Sequence, residues 1–404
     1  MSMGAPRFTA YGGQLQSLRA ALNNPLVQFV GIVGIGDSIM WGRTLPGNAS
    51  AQPRSKLLDT ARDNASTPSL WNLLRSHVGA KYMGGGALRL SNWEASPSGE
   101  SIATYIKPAI IFPEGEGFTL SASGAHQTVK SVDRPASPTG RAHILSDGGQ
   151  DESSHQSISF RFTGSEFTLL FRSHGAGDFN NYDLIVDGTS VGTFTTRPGT
   201  DGFFIGSNRR RHTFGHVRDK VVEIRTNSTG LPGTRRLHVE GIEVPKTVRF
   251  TNQGVIGQMA HTYNSYNLSG KFSKPAAIEQ QDQFFFVQFG TNDRNDKSAT
   301  HAGTKFEQSL QAIVDHLQPM GDVVLMCAGP VRDRAEPEPS PAMTMQDVRS
   351  VIDGVAKANS LDFIDNLSPF ESVETDLVID GHAHPNEEGH RIMSRNIIGA
   401  LEAS

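Results

Sequence analysis

The stretch Gly31–Gly42, GIVGIGDSIMWG, decides the fold predicted for this chain. The apolar and β-branched run of residues 27–35 is typical of a buried parallel strand, and the turn Gly36-Asp37-Ser38 follows it. A small polar residue after such a strand lies at the carboxyl edge of the sheet, where open α/β folds place their sites. Ser38 is therefore a candidate nucleophile. Alternatively, Gly-Asp-Ser is an ordinary turn and Ser38 is a helix N-cap.

The sequence on either side of this stretch also alternates between apolar strands and amphipathic helices. The predicted helices cover residues 13–25, a segment up to Leu317, residues 344–358 and residues 385–401. A further predicted helix has Thr67 as its N-cap and Pro68 as its first residue, and it ends at Gly79. The other predicted strands cover residues 248–252, 284–289, 323–328 and 361–364. Strands that alternate with helices form a parallel sheet with helices on both faces, so the predicted class is α/β.

Between residues 106 and 246 the helical periodicity disappears. Short alternating runs replace it, at residues 157–162, 167–172, 182–186, 221–225 and 236–244. Asp187-Gly188 after the third run is a hairpin signal. These features predict an antiparallel β-sandwich inserted into an α/β domain, with boundaries at 1–105, 106–246 and 247–404. The basic run 208–212 (NRRRH) within the insert is a candidate for contact with an acidic glycan, or else a solvated charged loop.

Composition indicates a globular protein without a dominant charge. Hydrophobic residues make up 37% and charged residues 19% of the 404 positions, and the net charge of −4 gives no global attraction to nucleic acid or to an anionic membrane. No apolar run is long enough to span a bilayer, and no signal peptide is recognised. The single cysteine, Cys327, excludes an intrachain disulfide and is expected in the core.

Four positions at strand ends or before the last helix carry groups suited to ester hydrolysis: Ser38, Gly257, Asn292 and His384. A serine attacks the ester, and an imidazole takes its proton and returns it to the leaving group. Rigid donors are needed for the oxyanion, and the Ser38 and Gly257 N–H groups and the Asn292 amide are candidates. Each residue also has an ordinary structural interpretation as a turn glycine, a helix cap or a surface histidine.

The order of the motifs closely resembles that of the SGNH (GDSL-type) hydrolase family. The four matching blocks are Gly36-Asp37-Ser38, Gly254–Gly257, Gly290–Asp293 and Asp380–Asn386. The resemblance implies a flavodoxin-like three-layer fold, and no cofactor is expected. A metal site is not expected either, because neither a cysteine cluster nor an HExxH motif accompanies the pair His382 and His384. It implies Ser38 as nucleophile, His384 as base and Ser38, Gly257 and Asn292 as the oxyanion hole.

One departure concerns the acidic member of the triad. The family places an Asp three residues before the His, whereas here Gly381 occupies that position and Asp380 lies four residues before His384. We expect Asp380 to orient His384, with a backbone carbonyl as the alternative, and His382 as a rival base that contacts substrate at the rim. Asp37, Trp41 and Asp293 are also expected to contact substrate.

Residues 34–78 resemble SGNH domains of bacteriophage tail fibres and tailspikes, and the insert resembles the jelly-roll carbohydrate-binding sandwiches of sugar-acting esterases. These resemblances imply a virion protein that removes O-acetyl groups from a surface polysaccharide. The implied partners are an acetylated glycan and other phage tail proteins, without nucleic acid or membrane. Two alternatives are an intracellular lipase or thioesterase and an inactive glycan-binding module.

Overall fold

A computed structural model of the chain describes residues 5–43, 45, 66–91, 101–123, 129–147, 155–174, 179–227, 229, 231, 235–264, 278–296, 302–331, 341–373, 378–380 and 383–404. Within these residues, no helix is both long enough and apolar enough to cross a membrane.

The described strands are β1 (Phe8–Thr9), β2 (Phe29–Gly36), β3 (Ala87–Ser91), β4 (Ser101–Ile111), β5 (Phe118–Ala122), β6 (Lys130–Asp133), β7 (Arg141–Asp147), β8 (Gln156–Ser173), β9 (Asn181–Val186), β10 (Thr189–Thr195), β11 (Gly206–Asn227), β12 (Arg235–Gly254), β13 (Asp282–Gln288), β14 (Asp322–Cys327), β15 (Phe363–Asp365), β16 (Ile379–Asp380) and β17 (His384–Pro385). The described α-helices are α1 (Gln14–Asn23), α2 (Ser38–Trp41), α3 (Leu70–Tyr82), α4 (Ala260–Thr262), α5 (Ala302–Leu317), α6 (Met345–Ala358) and α7 (Glu387–Ala403). Short 3₁₀ turns cover Asp293–Asn295 and Ser368–Phe370.

The chain divides into two compact units. The α/β unit comprises Met1–Asn23, Val30–Ile106 and Val248–Ser404, and the β unit comprises Asn24–Phe29 and Lys107–Thr247. The β unit thus takes a short segment from before β2 as well as the long stretch that lacks helical periodicity. That segment is held within the β unit by backbone bonds, with Gln28 N donating to Thr163 O (2.7 Å) and Thr247 N donating to Gln28 O (2.7 Å).

The sheet of the α/β unit runs in the order β1-β15-β14-β13-β2-β12. Strand β13 lies between β2 and β14 and is parallel to both, β14 is parallel to β15, and β1 adds an antiparallel edge. The apolar run of β13 reflects this central position, because a strand covered on both faces has no polar side. A mixed α/β fold with a mostly parallel central sheet is therefore confirmed.

Helix α3 packs on this sheet through Trp71. Its buried ring meets Phe250 and Phe286 edge-on, with ring centroids 5.7 Å away in both cases. Gly34 in β2 makes room for the indole, since a Cβ at that position would lie 2.8 Å from it. Glycine in the middle of β2 thus serves close helix–sheet packing.

Helix α3 begins at Leu70 rather than at the predicted Pro68. Ser69, not Thr67, is the N-cap, because the Ser69 hydroxyl accepts a hydrogen bond from the Asn72 N–H (3.2 Å). The helix also continues past Gly79 to Tyr82. Serine and threonine are both favoured N-cap residues, and proline is favoured as a first helical residue, so the sequence was compatible with either start.

Antiparallel pairing joins the long strands of the β unit, which are β8, β11 and the part of β12 up to Thr247. The runs predicted as separate strands at 157–162 and 167–172 are parts of β8, and those at 236–244 and 248–252 are parts of β12. Gly164, at φ 155°, and the register shifts between β8 and β11 let the paired strands bend without ending. Two packed layers, as in a sandwich, remain a prediction.

The hairpin at Asp187-Gly188 is confirmed. Both residues have positive φ, 51° and 76°, and they join the antiparallel strands β9 and β10. Positive φ at both central positions is what a type I′ turn requires.

The basic run at residues 208–212 is neutralised within the β unit. Arg209, Arg210 and Arg211 form ion pairs with Glu243, Asp201 and Glu166, respectively. His212 is buried, and its Nε2 lies 2.9 Å from the Tyr182 hydroxyl. The arginines therefore already have acidic partners, which disfavours a role for this run in binding an acidic glycan.

Candidate active site

Ser38 is presented by the turn that links β2 to the single-turn helix α2. Asp37 caps this helix in an extended conformation, and its Oδ1 accepts a hydrogen bond from Ile39 N (2.8 Å). Gly42 ends the helix at φ 86°, a left-handed conformation that suits glycine. The strand, the cap and the glycine together hold the backbone of Ser38 rigidly at the carboxyl edge of the sheet.

Ser38 and His384 form a nucleophile–base pair. Ser38 Oγ lies 2.9 Å from His384 Nε2, although the residues are 346 positions apart. The hydroxyl donates if Nε2 is unprotonated, which is the arrangement that general-base catalysis needs. Burial lowers the pKa of His384 to about 4, with a smaller contribution from the positive charge of Arg43, so the imidazole is neutral near pH 7.

The turn that carries Gly257 is tied to the other two site loops. Val255 N donates to Gly36 O (3.0 Å), and Asn292 Nδ2 donates to Gln258 O (3.0 Å). Gly257 is exposed and has φ +77°, and the position of a Cβ there is open space. A left-handed residue without a side chain leaves its backbone open to a ligand.

Within the described residues, the Asn292 amide makes one hydrogen bond and has one hydrogen left for another acceptor. A side-chain amide has two N–H donors, and the bond to Gln258 O uses one of them. The structure therefore brings the Ser38, Gly257 and Asn292 loops into one hydrogen-bonded network. Their joint action as an oxyanion hole is compatible with this network and stays a prediction.

Three residues predicted to contact substrate are buried supports instead. Trp41 and Asp37 have no exposed surface, and Asp293 is only 4% exposed. Asp37 Oδ2 accepts from Gln288 Nε2 (3.1 Å) in β13, which connects two adjacent strand ends. Buried side chains in contact with other protein groups cannot reach a ligand, so the expected substrate contacts of these three residues are corrected.

Asp293 connects the second and third blocks. Its Oδ1 accepts from Ala260 N (2.9 Å) and its Oδ2 accepts from Gly290 N (3.1 Å). Burial raises the pKa of Asp293 to about 7, and the neighbouring charge of Asp37 adds to that rise. Burial likewise raises the pKa of Asp37 to about 6. Two carboxyl groups close together in a desolvated site resist simultaneous ionisation.

Asp380 and His384 are opposite each other in a short antiparallel ladder. Strand β16 ends at Asp380 and β17 begins at His384, and the two residues are paired in register. The additional residue, relative to the family spacing, lies between these two strands in the sequence. Gly381 and His382 lie outside the described residues, and the orienting role of Asp380 and the substrate contact of His382 remain predictions.

Three residues near the pair were not identified from the sequence. Gln288, the polar end of an apolar strand, binds the Asp37 carboxylate, and its polarity was an available signal. His390 is fully buried in α7, where its Nδ1 accepts from Leu70 N (3.2 Å). Arg43 is exposed and carried no signal, because single arginines are common on protein surfaces.

Residues 232–392 match the GDSL-like Lipase/Acylhydrolase family. The matched segment contains the Gly257, Asn292 and His384 blocks. Ser38 lies outside it and joins those blocks in the structure, through the 2.9 Å contact with His384. The match supports the SGNH resemblance for this part of the chain and, with it, an esterase.

Several solved structures show limited similarity. A structure described as "Peptidoglycan O-acetylesterase in action" covers 98% of this chain and 98% of its own, at 12% identity and a TM-score of 0.41. A family two carbohydrate esterase from Clostridium thermocellum covers 69% of this chain and 99% of its own, at 12% identity and a TM-score of 0.29. A lipolytic G-D-S-L protein from Veillonella parvula covers 37% and 79%, at 21% identity and a TM-score of 0.30. These similarities are too low to bear on substrate, and no curated protein matches the chain.

Proposed function

We propose that this protein is a serine esterase that removes O-acetyl or other short acyl groups from a surface polysaccharide. The observation that carries the proposal is the 2.9 Å contact between Ser38 Oγ and the neutral His384 Nε2. The family match over residues 232–392 supports ester hydrolysis. The restriction to sugar esters rests on the sequence resemblance to sugar-acting SGNH modules.

The reaction follows from the residues of the site. Ser38 Oγ attacks the acyl carbonyl carbon while His384 Nε2 takes the hydroxyl proton. The Ser38 and Gly257 N–H groups and the Asn292 amide donate to the oxyanion that forms. Collapse breaks the bond to the sugar oxygen, which leaves with the proton from His384. Water, deprotonated by His384, then hydrolyses the acyl-serine, releases the carboxylic acid and restores Ser38.

The proposed setting is a bacteriophage tail, with the protein acting outside the host cell on the acetylated glycan. The support is the resemblance of residues 34–78 to tail-associated SGNH domains. The proposed partners are the glycan and other tail proteins. An insert that binds glycan would hold the enzyme near its polymeric substrate.

The proposal is tested by replacing Ser38 with Ala and assaying aryl acetate, longer aryl esters and acetylated polysaccharide. We expect acetate release to be abolished and fluorophosphonate labelling to be lost, because only the attacking hydroxyl is removed. Ser350→Ala is the matched control, since this exposed hydroxyl on α6 donates to Gln346 O in its own helix and to no other described residue. Full activity of Ser38→Ala would refute the proposed nucleophile.

The same assay separates the alternative functions. A rate that rises with acyl chain length would indicate a lipase or thioesterase. Absence of turnover on every ester, combined with binding to the polysaccharide, would indicate a glycan-binding module.

A further inference from the structure

The backbone of Arg43 is hydrogen-bonded to the backbone of the candidate nucleophile Ser38. After α2, the left-handed Gly42 turns the chain back, and Arg43 N donates to Ser38 O (3.0 Å). The residues before it, Ile39 to Gly42, are buried, and so is Leu45, whereas Arg43 is exposed. The fold therefore presents one cation to solvent directly after the nucleophilic turn.

The guanidinium of Arg43 has no acidic partner among the residues that the structure describes. In the part of the chain that the structure describes, Arg43 has no ion pair or side-chain hydrogen bond. The acidic residues of the neighbouring turns do not pair with Arg43. Asp37 accepts hydrogen bonds from Ile39 N and Gln288 Nε2, and Asp293 accepts them from two backbone N–H groups. An exposed arginine beside a reactive pair and without a carboxylate partner retains its capacity to bind an anion.

The positive charge of Arg43 acts on the reactive pair. Together with burial, it lowers the pKa of His384, so the guanidinium is close enough for its charge to affect the imidazole. The helix α2 that precedes Arg43 also contacts the strand β17 that carries His384. An anion held by Arg43 would consequently lie next to the ester that Ser38 attacks.

We propose that Arg43 binds a carboxylate of the substrate, and that the preferred substrate is a short-chain acyl ester on an acidic sugar. This inference rests on the proposed esterase function and adds its substrate class. A planar guanidinium matches a carboxylate with two parallel hydrogen bonds, which gives orientation as well as attraction. On a uronic acid the carboxylate and the acylated hydroxyl belong to one ring, so one contact positions the ester.

The test compares two substrates that differ only in the carboxyl group of the sugar. One is an O-acetylated oligogalacturonate, and the other is the same oligosaccharide with its carboxylates converted to carboxamides. We expect the full-length protein to show at least a tenfold higher kcat/KM for the carboxylate form at low salt. The preference should weaken between about 20 mM and about 500 mM salt, because an exposed charge contact is screened.

The variants Arg43→Gln and Arg43→Lys test whether Arg43 is responsible for the preference for the carboxylate substrate. Arg43→Gln should lower kcat/KM on the carboxylate form at least tenfold, chiefly through KM, and lower it much less on the carboxamide form. Arg43→Lys should retain part of the preference, since it keeps the charge and loses the two-pronged geometry. Arg391→Gln is the matched control, because Arg391 is an exposed arginine of α7 paired with Glu387.

The outcomes separate this inference from the proposed function. An unchanged preference in Arg43→Gln, or a parent protein without preference, overturns the inference while activity on aryl acetate upholds the esterase. Failure of the parent protein to hydrolyse any ester overturns both. Equal losses on the two substrates in Arg43→Gln would show that Arg43 supports the site structurally and does not recognise a carboxylate.

Discussion

At the scale of single residues, the chemistry depends on a contact between two side chains 346 positions apart in the chain. Ser38 is held by its cap and strand, whereas His384 is held by a short ladder and by the start of α7. Neither side chain is unusual alone. The neutral state of the half-buried His384 is what makes the pair a nucleophile and base rather than a hydrogen-bonded surface pair.

Replacement of Asn292 by Ala tests the predicted oxyanion donor. We expect kcat to fall by ~10²–10³-fold with little change in KM, because the donor acts mainly on the charge of the transition state. Steady-state kinetics on aryl acetate measure this. Asn295→Ala, at an exposed position in the same 3₁₀ turn, is the control. A large rise in KM at constant kcat would make Asn292 a substrate-binding residue.

The pH profile tests the histidine and its predicted partner. Catalysis needs neutral His384, and the pKa of His384 is lowered from the usual 6.5 to about 4. As the pH is lowered, kcat/KM should therefore stay constant through pH 6.5 and fall only as the pH approaches 4. Asp380→Asn should lower kcat strongly. A carboxylate beside an imidazole favours the protonated imidazole. Removal of the Asp380 charge should therefore also shift the acid limb, the fall in kcat/KM at low pH, to lower pH.

Two results would contradict the assignment of Asp380. Full activity in Asp380→Asn would mean that another acceptor orients the imidazole. An unmoved acid limb together with reduced activity would mean that Asp380 supports the loop without facing His384. Full activity in His384→Ala would transfer the base role to His382.

At the scale of elements, the histidine depends on the cap of the helix that follows it. Asn386 is the N-cap of α7, and its side chain accepts a hydrogen bond from Gly389 N (3.1 Å). Only Pro385 separates this cap from His384. The sequence Pro-Asn after the histidine therefore sets both the helix start and the direction from which the imidazole enters the site.

Asn386→Ala should lower both stability and activity. Loss of the cap costs about 1 kcal/mol, which thermal unfolding detects, and displacement of His384 should lower kcat as well. Thr344→Ala is a matched control, because Thr344 caps α6 in the same way and accepts from Asp347 N (3.1 Å). Equal activity loss in the two cap variants would show that α7 has no special role in placing the histidine.

At the scale of the whole molecule, the β unit is built from two stretches of the chain, and the shorter one comes before β2 in the sequence. Asn24–Phe29 binds the β unit through backbone contacts, and the buried Lys246 Nζ donates to Asn24 O (2.7 Å) and Val27 O (3.1 Å). Burial lowers the pKa of Lys246 to about 7. Removal of residues 107–247 alone would therefore leave an apolar segment without its partners.

We expect the α/β unit to retain its fold when residues 107–247 are replaced by a short linker and Leu26, buried in the β core, is changed to Ser. The site residues Ser38, Gly257, Asn292 and His384 all belong to the α/β unit. Hydrolysis of aryl acetate should persist, and deacetylation of polymer should weaken, as acetate release would show. Loss of the folded state, seen by circular dichroism, would mean that the β unit is part of the catalytic core.

The sequence by itself determined the elements and the candidate pair, because strand and helix periods, glycine turns and caps are local properties. The run before Gly36, the apolar β13 and the Asp187-Gly188 turn were all predictable on that basis. Only the tertiary structure decided which neighbours of Ser38 reach solvent. Trp41 and Asp37 are buried and Arg43 is exposed, since burial depends on strands and turns far away in the chain. The same reason explains why β8 and β12 continue through bends: their partner strands, not their own residues, determine where pairing ends.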